Sequence, residues 1–319
     1  MTNDNTRTGM TDRRTVLSAA AGVAAVAGLK PVLGAEKITD VIDAHSHIWT
    51  RDIEKFPLAK TAKLADLDPA SFTTAELLAL VRPLGVNRVV LIQHHLFYGY
   101  DNTYMIDAAR RHPGVFRVVG MVDELKPNVA ERMRTLAKQQ VSGFRITSWI
   151  RKEKWLTGPG MKSMWECAAA TGQAICCLMD PPFLESLDKM CKRRPDTRVV
   201  VDHFARIGVD GKIRKADVDQ LCALAKHRNT HVKISAYYAL GAKKPPYDDL
   251  VPMIRRLLDA YGAERLMWAS DSPYQLQDGN TYKASLDLIR SRLDFLSQAE
   301  RLALLKGTAE RVYFGELRP

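Results

Sequence analysis

Eight apolar, β-branched runs alternate along the chain with amphipathic segments of helical length. The runs cover residues 38–45, 87–95, 115–124, 141–148, 173–180, 197–205, 231–238 and 265–273. Each run has the length of a strand, and the segments between them repeat their apolar residues every three or four positions, as helices do. A strand that is followed by a helix and then by another strand needs a crossover connection. We therefore expect neighbouring strands to run parallel.

Eight such units close most economically into a barrel. We predict an α/β fold of the (β/α)8 TIM-barrel type, as one domain over residues 36–319. An open, doubly wound sheet is the alternative, but the sequence lacks the glycine-rich phosphate-binding turn of that fold. The barrel also predicts where chemistry takes place, because the catalytic residues of this fold lie at the C-terminal ends of the strands.

Polar residues stand at several of these strand ends. His45 and His47 are one residue apart at the end of the first run, so both imidazoles project from the same side of the strand. A bare pair of this kind also occurs on solvated loops, so other strand ends have to support it. His203 ends the sixth run and Asp271 ends the eighth. A closed barrel would bring three imidazoles and one carboxylate into one pocket.

These four residues form a ligand set that zinc and manganese commonly use. We expect one divalent metal ion, zinc in the first place, on His45, His47, His203 and Asp271, with a metal-free site as the alternative. A bound metal lowers the pKa of its water and polarises a carbonyl group. Asp271 can instead accept the proton of the attacking water as a general base, with or without a metal.

Three stretches resemble motifs of the amidohydrolase superfamily: "DAHSHIW" at the first strand, "VVVDHFAR" at the sixth and "RLMWASDSP" at the eighth. The resemblance spans residues 38–316 and is closest to the branch of small metal-dependent TIM-barrel lactonases and decarboxylases. It implies that His45, His47 and His203 bind a metal or polarise the substrate. It also implies that Asp271 is the proton acceptor.

The resemblance further implies a place for an acidic group of the substrate. In similar lactonases an arginine shortly after the sixth-strand histidine binds a substrate carboxylate, and Arg206 occupies that position. Arg145, near the end of the fourth run, is a second candidate. A guanidinium pairs with a carboxylate or sulfonate through two parallel hydrogen bonds. His95, after the second run, is expected to steady the developing oxyanion.

Two features differ from the two-metal members of the superfamily. No lysine that could be carbamylated ends the fourth run, because Lys152 and Lys154 lie further along the chain. The fifth run ends in "CLMD", where many relatives have a histidine. We therefore expect at most one metal ion.

We predict a hydrolase that opens a lactone or similar cyclic ester bearing an acidic group, with water activated by Asp271. Non-oxidative decarboxylation is the second hypothesis, because the same histidines and a metal could hold a carboxylated ring. A non-catalytic exported binding protein is the third. The fold does not separate these alternatives, because one barrel supports many reactions.

The first 35 residues differ in composition from the rest of the chain. Arg13 and Arg14 precede a mildly apolar run that is rich in alanine and glycine. This run is too short and too weakly apolar for a retained membrane span. The pattern is typical of a twin-arginine export signal and predicts a periplasmic or other extracytoplasmic location. A disordered tail is the alternative.

The formal net charge of +11 raises the question of an anionic partner. The basic residues are scattered, and the sequence shows no aromatic-interleaved basic stripe and no zinc-finger or RNA-binding motif. We therefore expect a small acidic substrate and no nucleic acid. The sequence leaves the oligomeric state open.

Overall fold

Eight strands form one parallel sheet in the computed structural model, which describes residues 38–318 apart from the side chain of residue 153. Each strand pairs with the next along the chain. The predicted export signal lies outside the described residues. The strands are β1 (Val41–Ser46), β2 (Val86–Ile92), β3 (Phe116–Gly120), β4 (Val141–Thr147), β5 (Ala174–Leu178), β6 (Val199–Val201), β7 (Thr230–Ile234) and β8 (Leu266–Trp268).

The sheet closes on itself where β8 meets β1. Ser46, the last residue of β1, forms a parallel bridge with Ser272, which lies beyond β8. The amide of Asp271 donates to the carbonyl of His45 at 2.8 Å, and the amide of His47 donates to the carbonyl of Ser272 at 2.8 Å. These contacts confirm the predicted (β/α)8 TIM barrel, and they also hold the ends of the first and eighth strands together.

Helices connect the strands. Thr73 caps the first of them: its hydroxyl accepts from the Glu76 amide, and the Glu76 carboxylate accepts from the Thr73 amide. No helix within residues 38–318 is long and apolar enough to cross a membrane. The α-helices are α1 (Thr74–Val81), α2 (His95–Tyr98), α3 (Thr103–Arg111), α4 (Val129–Ala137), α5 (Ser148–Arg151), α6 (Pro159–Thr171), α7 (Leu184–Arg193), α8 (Lys215–Ala223), α9 (Val251–Tyr261), α10 (Tyr282–Asp287) and α11 (Gln298–Leu302).

The strands are apolar on both faces because both faces are buried. On β2, Val89 and Leu91 belong to a large apolar cluster that includes the helices, whereas Val90 and Ile92 belong to a smaller cluster built mostly from strand residues. Alternate side chains of one strand point to opposite faces. The smaller cluster therefore fills the barrel interior, and the functional residues lie above it.

β6 and β8 have three residues each and are shorter than the runs that predicted them. The polar ends of both runs leave the sheet in left-handed turns. His203 to Arg206 all have φ between 52° and 56°, and Asp271 has φ 64°. Residues other than glycine rarely adopt such angles unless the surroundings hold them, and they cluster at functional sites. His203, Arg206 and Asp271 consequently line one cavity above the strands.

Candidate active site

Three imidazoles and one carboxylate meet at the C-terminal end of the barrel. Oδ1 of Asp271 lies 3.3 Å from Nε2 of His45 and 3.3 Å from Nε2 of His47. Oδ2 lies 3.8 Å from Nε2 of His203. The rings of His45 and His203 have centroids 4.4 Å apart. The structure thus brings together the four residues that the sequence singled out, and all four are buried.

A hydrogen bond on the far side of the His47 ring indicates which of its nitrogens carries a proton. Nδ1 of His47 is 2.9 Å from the carbonyl oxygen of Ile92, which can only accept, so this nitrogen carries a proton. Nε2 of neutral His47 is then an unprotonated acceptor that faces the Asp271 carboxylate. Two acceptors at 3.3 Å repel each other unless a proton or a cation lies between them. This part of the site therefore favours a bound cation or a shared proton.

Three of the four residues have ligand atoms close enough together for one divalent metal ion. The ligand atoms of His45, His203 and Asp271 lie within 4.8 Å of one another. Four ligands at 2.0–2.1 Å in a tetrahedral site are separated by about 3.3 Å, close to the spacings found here. Nδ1 of His203 lies 2.8 Å from the Ser235 hydroxyl, and such outer hydrogen bonds orient metal-binding histidines. The residues present could hold one metal ion.

Two buried cations flank His45. Nη2 of Arg145 lies 3.0 Å from Nε2 of this ring, and Nζ of Lys233 lies 3.3 Å from its Nδ1. Asp202 joins the two cations, 3.0 Å from Lys233 Nζ and 3.4 Å from the Arg145 guanidinium. The lone pair of His45 Nε2 can accept a hydrogen bond from Arg145 or bind a metal ion, but it cannot do both. The charges of Arg145, Lys233, Asp202 and Asp271 also cancel without a metal.

Burial and neighbouring groups set the protonation of the cluster. Burial lowers the pKa of His203 to about 4, and burial together with the charge of Lys233 lowers the pKa of His45 well below 6.5. Burial acts to raise the pKa of Asp271, but the facing imidazoles, above all His203 and His45, outweigh it and hold this pKa well below 3.8. Near neutral pH the carboxylate is therefore ionised and available to accept a proton.

A cavity of about 450 Å³ opens above the cluster. His47, Arg145, His203 and Asp271 line its buried end, and all four have relative exposures of 8% or less. Side chains from the loops after the strands line the more exposed end. The cavity thus gives a small molecule direct access to the clustered polar groups.

The two predicted arginines line this cavity in different surroundings. Arg145 is nearly buried and bonded to His45 and Asp202. Arg206 is more exposed: its Nη1 donates to Oδ1 of Asp180 at 2.8 Å, and its guanidinium lies 4.5 Å above the ring of Trp149. The charge of Arg206 is therefore already paired at the exposed end of the cavity.

His95 begins α2 and lines the same cavity. Its ring packs edge-on against Tyr100, with centroids 5.1 Å apart. No hydrogen bond or ring contact described for residues 38–318 joins it to the four clustered groups. The adjacent His94 instead packs edge-on against His47, with ring centroids 5.1 Å apart, and its Nε2 is hydrogen-bonded to the Tyr274 hydroxyl at 2.5 Å. Both histidines line the cavity, and His94 also contacts the cluster through His47.

Sequence reasoning missed two polar residues of the site. Lys233 lies inside β7 and is fully buried. A single charged residue within an apolar run of the sequence could have identified it. Tyr238 donates its hydroxyl to Oδ2 of Asp271 at 2.8 Å. Nothing in the sequence distinguishes it from the neighbouring Tyr237, whose hydroxyl donates to the carbonyl of Ile234.

Eight parallel strands that carry three imidazoles and an ionised carboxylate above their C-terminal ends are typical of TIM-barrel hydrolases. The profile of the amidohydrolase family matches residues 42–315, and the chain belongs to this family. The superfamily resemblance of its three strand-end motifs is thereby confirmed.

Known proteins of this family resemble the chain over most of its length. L-fucono-1,5-lactonase from Burkholderia ambifaria is 29% identical over 280 residues, which cover 85% of this chain and 94% of the relative. A 4-sulfomuconolactone hydrolase from Hydrogenophaga intermedia is 23% identical over 277 residues, which cover 85% and 88%. A solved amidohydrolase from Burkholderia multivorans with bound zinc has the same fold, with a TM-score of 0.71, 22% identity, and coverage of 86% of this chain and 99% of that chain.

Proposed function

We propose that the protein is a lactonase that hydrolyses a lactone or similar cyclic ester bearing an acidic group. The observation that supports this most strongly is the position of Asp271 against three imidazoles within one buried cluster of an amidohydrolase. Two relatives that are named for reactions on lactones support the same class of reaction.

In the proposed reaction, Oδ1 of Asp271 accepts a proton from a water molecule while the water oxygen bonds to the ring carbonyl carbon. Oδ2 stays hydrogen-bonded to Tyr238, which fixes the orientation of the carboxylate. The ring C–O bond then breaks, and Asp271 returns the proton to the leaving ring oxygen. The product is a hydroxy acid, and the carboxylate is regenerated.

His95, Arg145 and Arg206 are the proposed contacts of the substrate, because all three line the cavity. A donor from His95 would stabilise the oxyanion that forms as water adds to the carbonyl group. The two guanidinium groups would bind the acidic group, with Arg145 at the buried end and Arg206 at the exposed end. The Arg206 guanidinium would donate to the acidic group while it remains paired with Asp180.

We propose that His45, His47, His203 and Asp271 bind one divalent metal ion, preferably zinc. Such an ion would acidify water and polarise the carbonyl group. Asp271 and Tyr238 act as described whether or not the ion is bound.

The test is ring opening by the purified protein, followed as acid release at constant pH over a panel of acidic and neutral lactones. We expect acidic lactones to be opened fastest. Asp271→Asn should lower kcat by about 10²- to 10⁴-fold, as expected for loss of a general base. Asp278→Asn removes the same charge from an exposed position after β8 and should leave kcat unchanged.

Three results would contradict this proposal. Undiminished turnover by the Asp271→Asn variant would exclude the proposed base. Release of carbon dioxide from carboxylated rings, without ring opening of any lactone, would assign a decarboxylase. Binding without turnover of either class would assign a binding protein.

We also propose that residues 1–35 direct export through the twin-arginine route. The support is the Arg13–Arg14 pair before an alanine- and glycine-rich run. Fusing residues 1–35 to a reporter that is active only outside the cytoplasm tests this. Replacing both arginines by lysine should abolish the reporter signal, and an unchanged signal would contradict the proposal.

A further inference from the structure

The cavity above the cluster has a second, chemically different half. Polar groups line its buried end, but aliphatic side chains also form part of its wall. They come from the end of one strand and from the loops after three others, so the barrel gathers them as it gathers the polar groups. The aliphatic wall consists of Leu96, Ile150, Leu178, Ala236, Ala239 and Leu240.

The wall continues into exposed apolar surface at the mouth of the cavity. Leu96 is 71% exposed, and Trp149, which lines the same cavity, is 48% exposed. Only six large apolar side chains within the described part of the chain are 37% exposed or more, and two of them line this cavity. Exposed apolar side chains that adjoin a cavity are typical of a binding site.

The charges beside the wall are already paired. Asp180 accepts hydrogen bonds of 2.8 Å from both Arg206 Nη1 and Trp149 Nε1, and the guanidinium stacks on the indole ring. An apolar group that covers this surface would therefore leave no unpaired charge in an apolar environment. The wall can bury apolar surface of a ligand at little electrostatic cost.

The size of the cavity indicates how much of the ligand lies on the wall. A cavity of about 150 Å³ holds a benzene-sized ring. The volume of about 450 Å³ found here leaves room for a substantial group beside a lactone ring placed at Asp271.

We propose that the substrate carries an apolar substituent, an alkyl chain or a hydrocarbon ring, which packs on the aliphatic wall while the lactone carbonyl lies at Asp271. This inference rests on the proposed lactonase function and specifies its substrate class. Each methylene that the wall buries should raise kcat/KM about fourfold, because burying one contributes about 0.8 kcal/mol.

A matched series of lactones tests the substituent. The ring stays constant, and the substituent grows from hydrogen to methyl, butyl and hexyl. We expect kcat/KM to rise with each added methylene until the cavity is filled. If the shortest lactones are opened as fast as the longest, the inference is wrong and the lactonase function stands. If no lactone in the series or in the acidic panel is opened, the proposed function itself fails.

Variants at the mouth of the cavity distinguish a loss of substrate packing from a general loss of activity. Leu96→Ser should lower the ratio of kcat/KM for the hexyl lactone to that for the unsubstituted lactone by about tenfold. Leu125→Ser is the matched control, because Leu125 is 72% exposed and does not line the cavity. It should leave the ratio unchanged. A Leu96→Ser variant with an unchanged ratio would overturn the inference.

Discussion

The hydroxyl of Tyr238 donates a 2.8 Å hydrogen bond to Oδ2 of Asp271. Because Oδ2 is engaged in this way, Oδ1 is the oxygen that faces Nε2 of His45 and His47. Tyr238 thereby orients the carboxylate so that Oδ1 of the proposed base faces His45 and His47.

Tyr238→Phe is expected to lower kcat about 10- to 100-fold with a smaller effect on KM, since a hydrogen bond to a charged group contributes about 1.5–3 kcal/mol. The two residues act as one unit. The double variant with Asp271→Asn should therefore be no slower than Asp271→Asn alone. Steady-state kinetics on the best lactone measure both effects, and fully additive losses would show that Tyr238 acts independently of Asp271.

Lys233→Met is expected to destabilise the protein by about 3 kcal/mol, because it leaves the buried Asp202 carboxylate with one cation fewer. Denaturant unfolding measures this loss. Lys215→Met is the control: Lys215 pairs with Asp219 at 2.7 Å on the surface of α8, and the loss should be about 0.5 kcal/mol or less. Equal losses in the two variants would contradict a structural role for the buried pair.

Zinc added to chelator-treated protein is expected to raise Tm. A ligand at one hundred times its Kd stabilises the folded state by about 2.7 kcal/mol. His203→Gln and Asp271→Asn should each abolish most of the rise, whereas magnesium, which prefers oxygen ligands, should have little effect on the wild-type protein. The same rise in all three proteins would place the zinc elsewhere.

Acid is expected to destabilise the protein in part through His231. Burial lowers the pKa of this imidazole from 6.5 to about 4. The unfolded chain binds a proton as the pH falls through 6.5, but the folded chain does not until about pH 4. The free energy of unfolding therefore decreases between these values. Urea denaturation at pH 7 and pH 4.5 should show a smaller decrease for His231→Asn than for wild type, and equal decreases would exclude this contribution.

The main polar groups of the site could be predicted because a parallel barrel restricts them to strand ends. His45 lies near the end of β1 and His47 follows the strand directly, and the motif pattern indicated His203 and Asp271 at the sixth and eighth strands. The partners of these groups could not be predicted in the same way. Strand register and the left-handed turns after β6 and β8 determine which nitrogen of each imidazole faces Asp271. They also determine that Arg145 bonds to His45.

By itself, the sequence determined the α/β alternation, the closed barrel and the residue types at its functional end, because period and order along the chain are local properties. Only the tertiary structure decided that Asp202 links Arg145 to Lys233, that Tyr238 holds Asp271, and that an aliphatic wall adjoins the polar cluster. These contacts join residues from different strands. Their distances depend on the register of neighbouring strands and on the turns after β6 and β8, which no local pattern encodes.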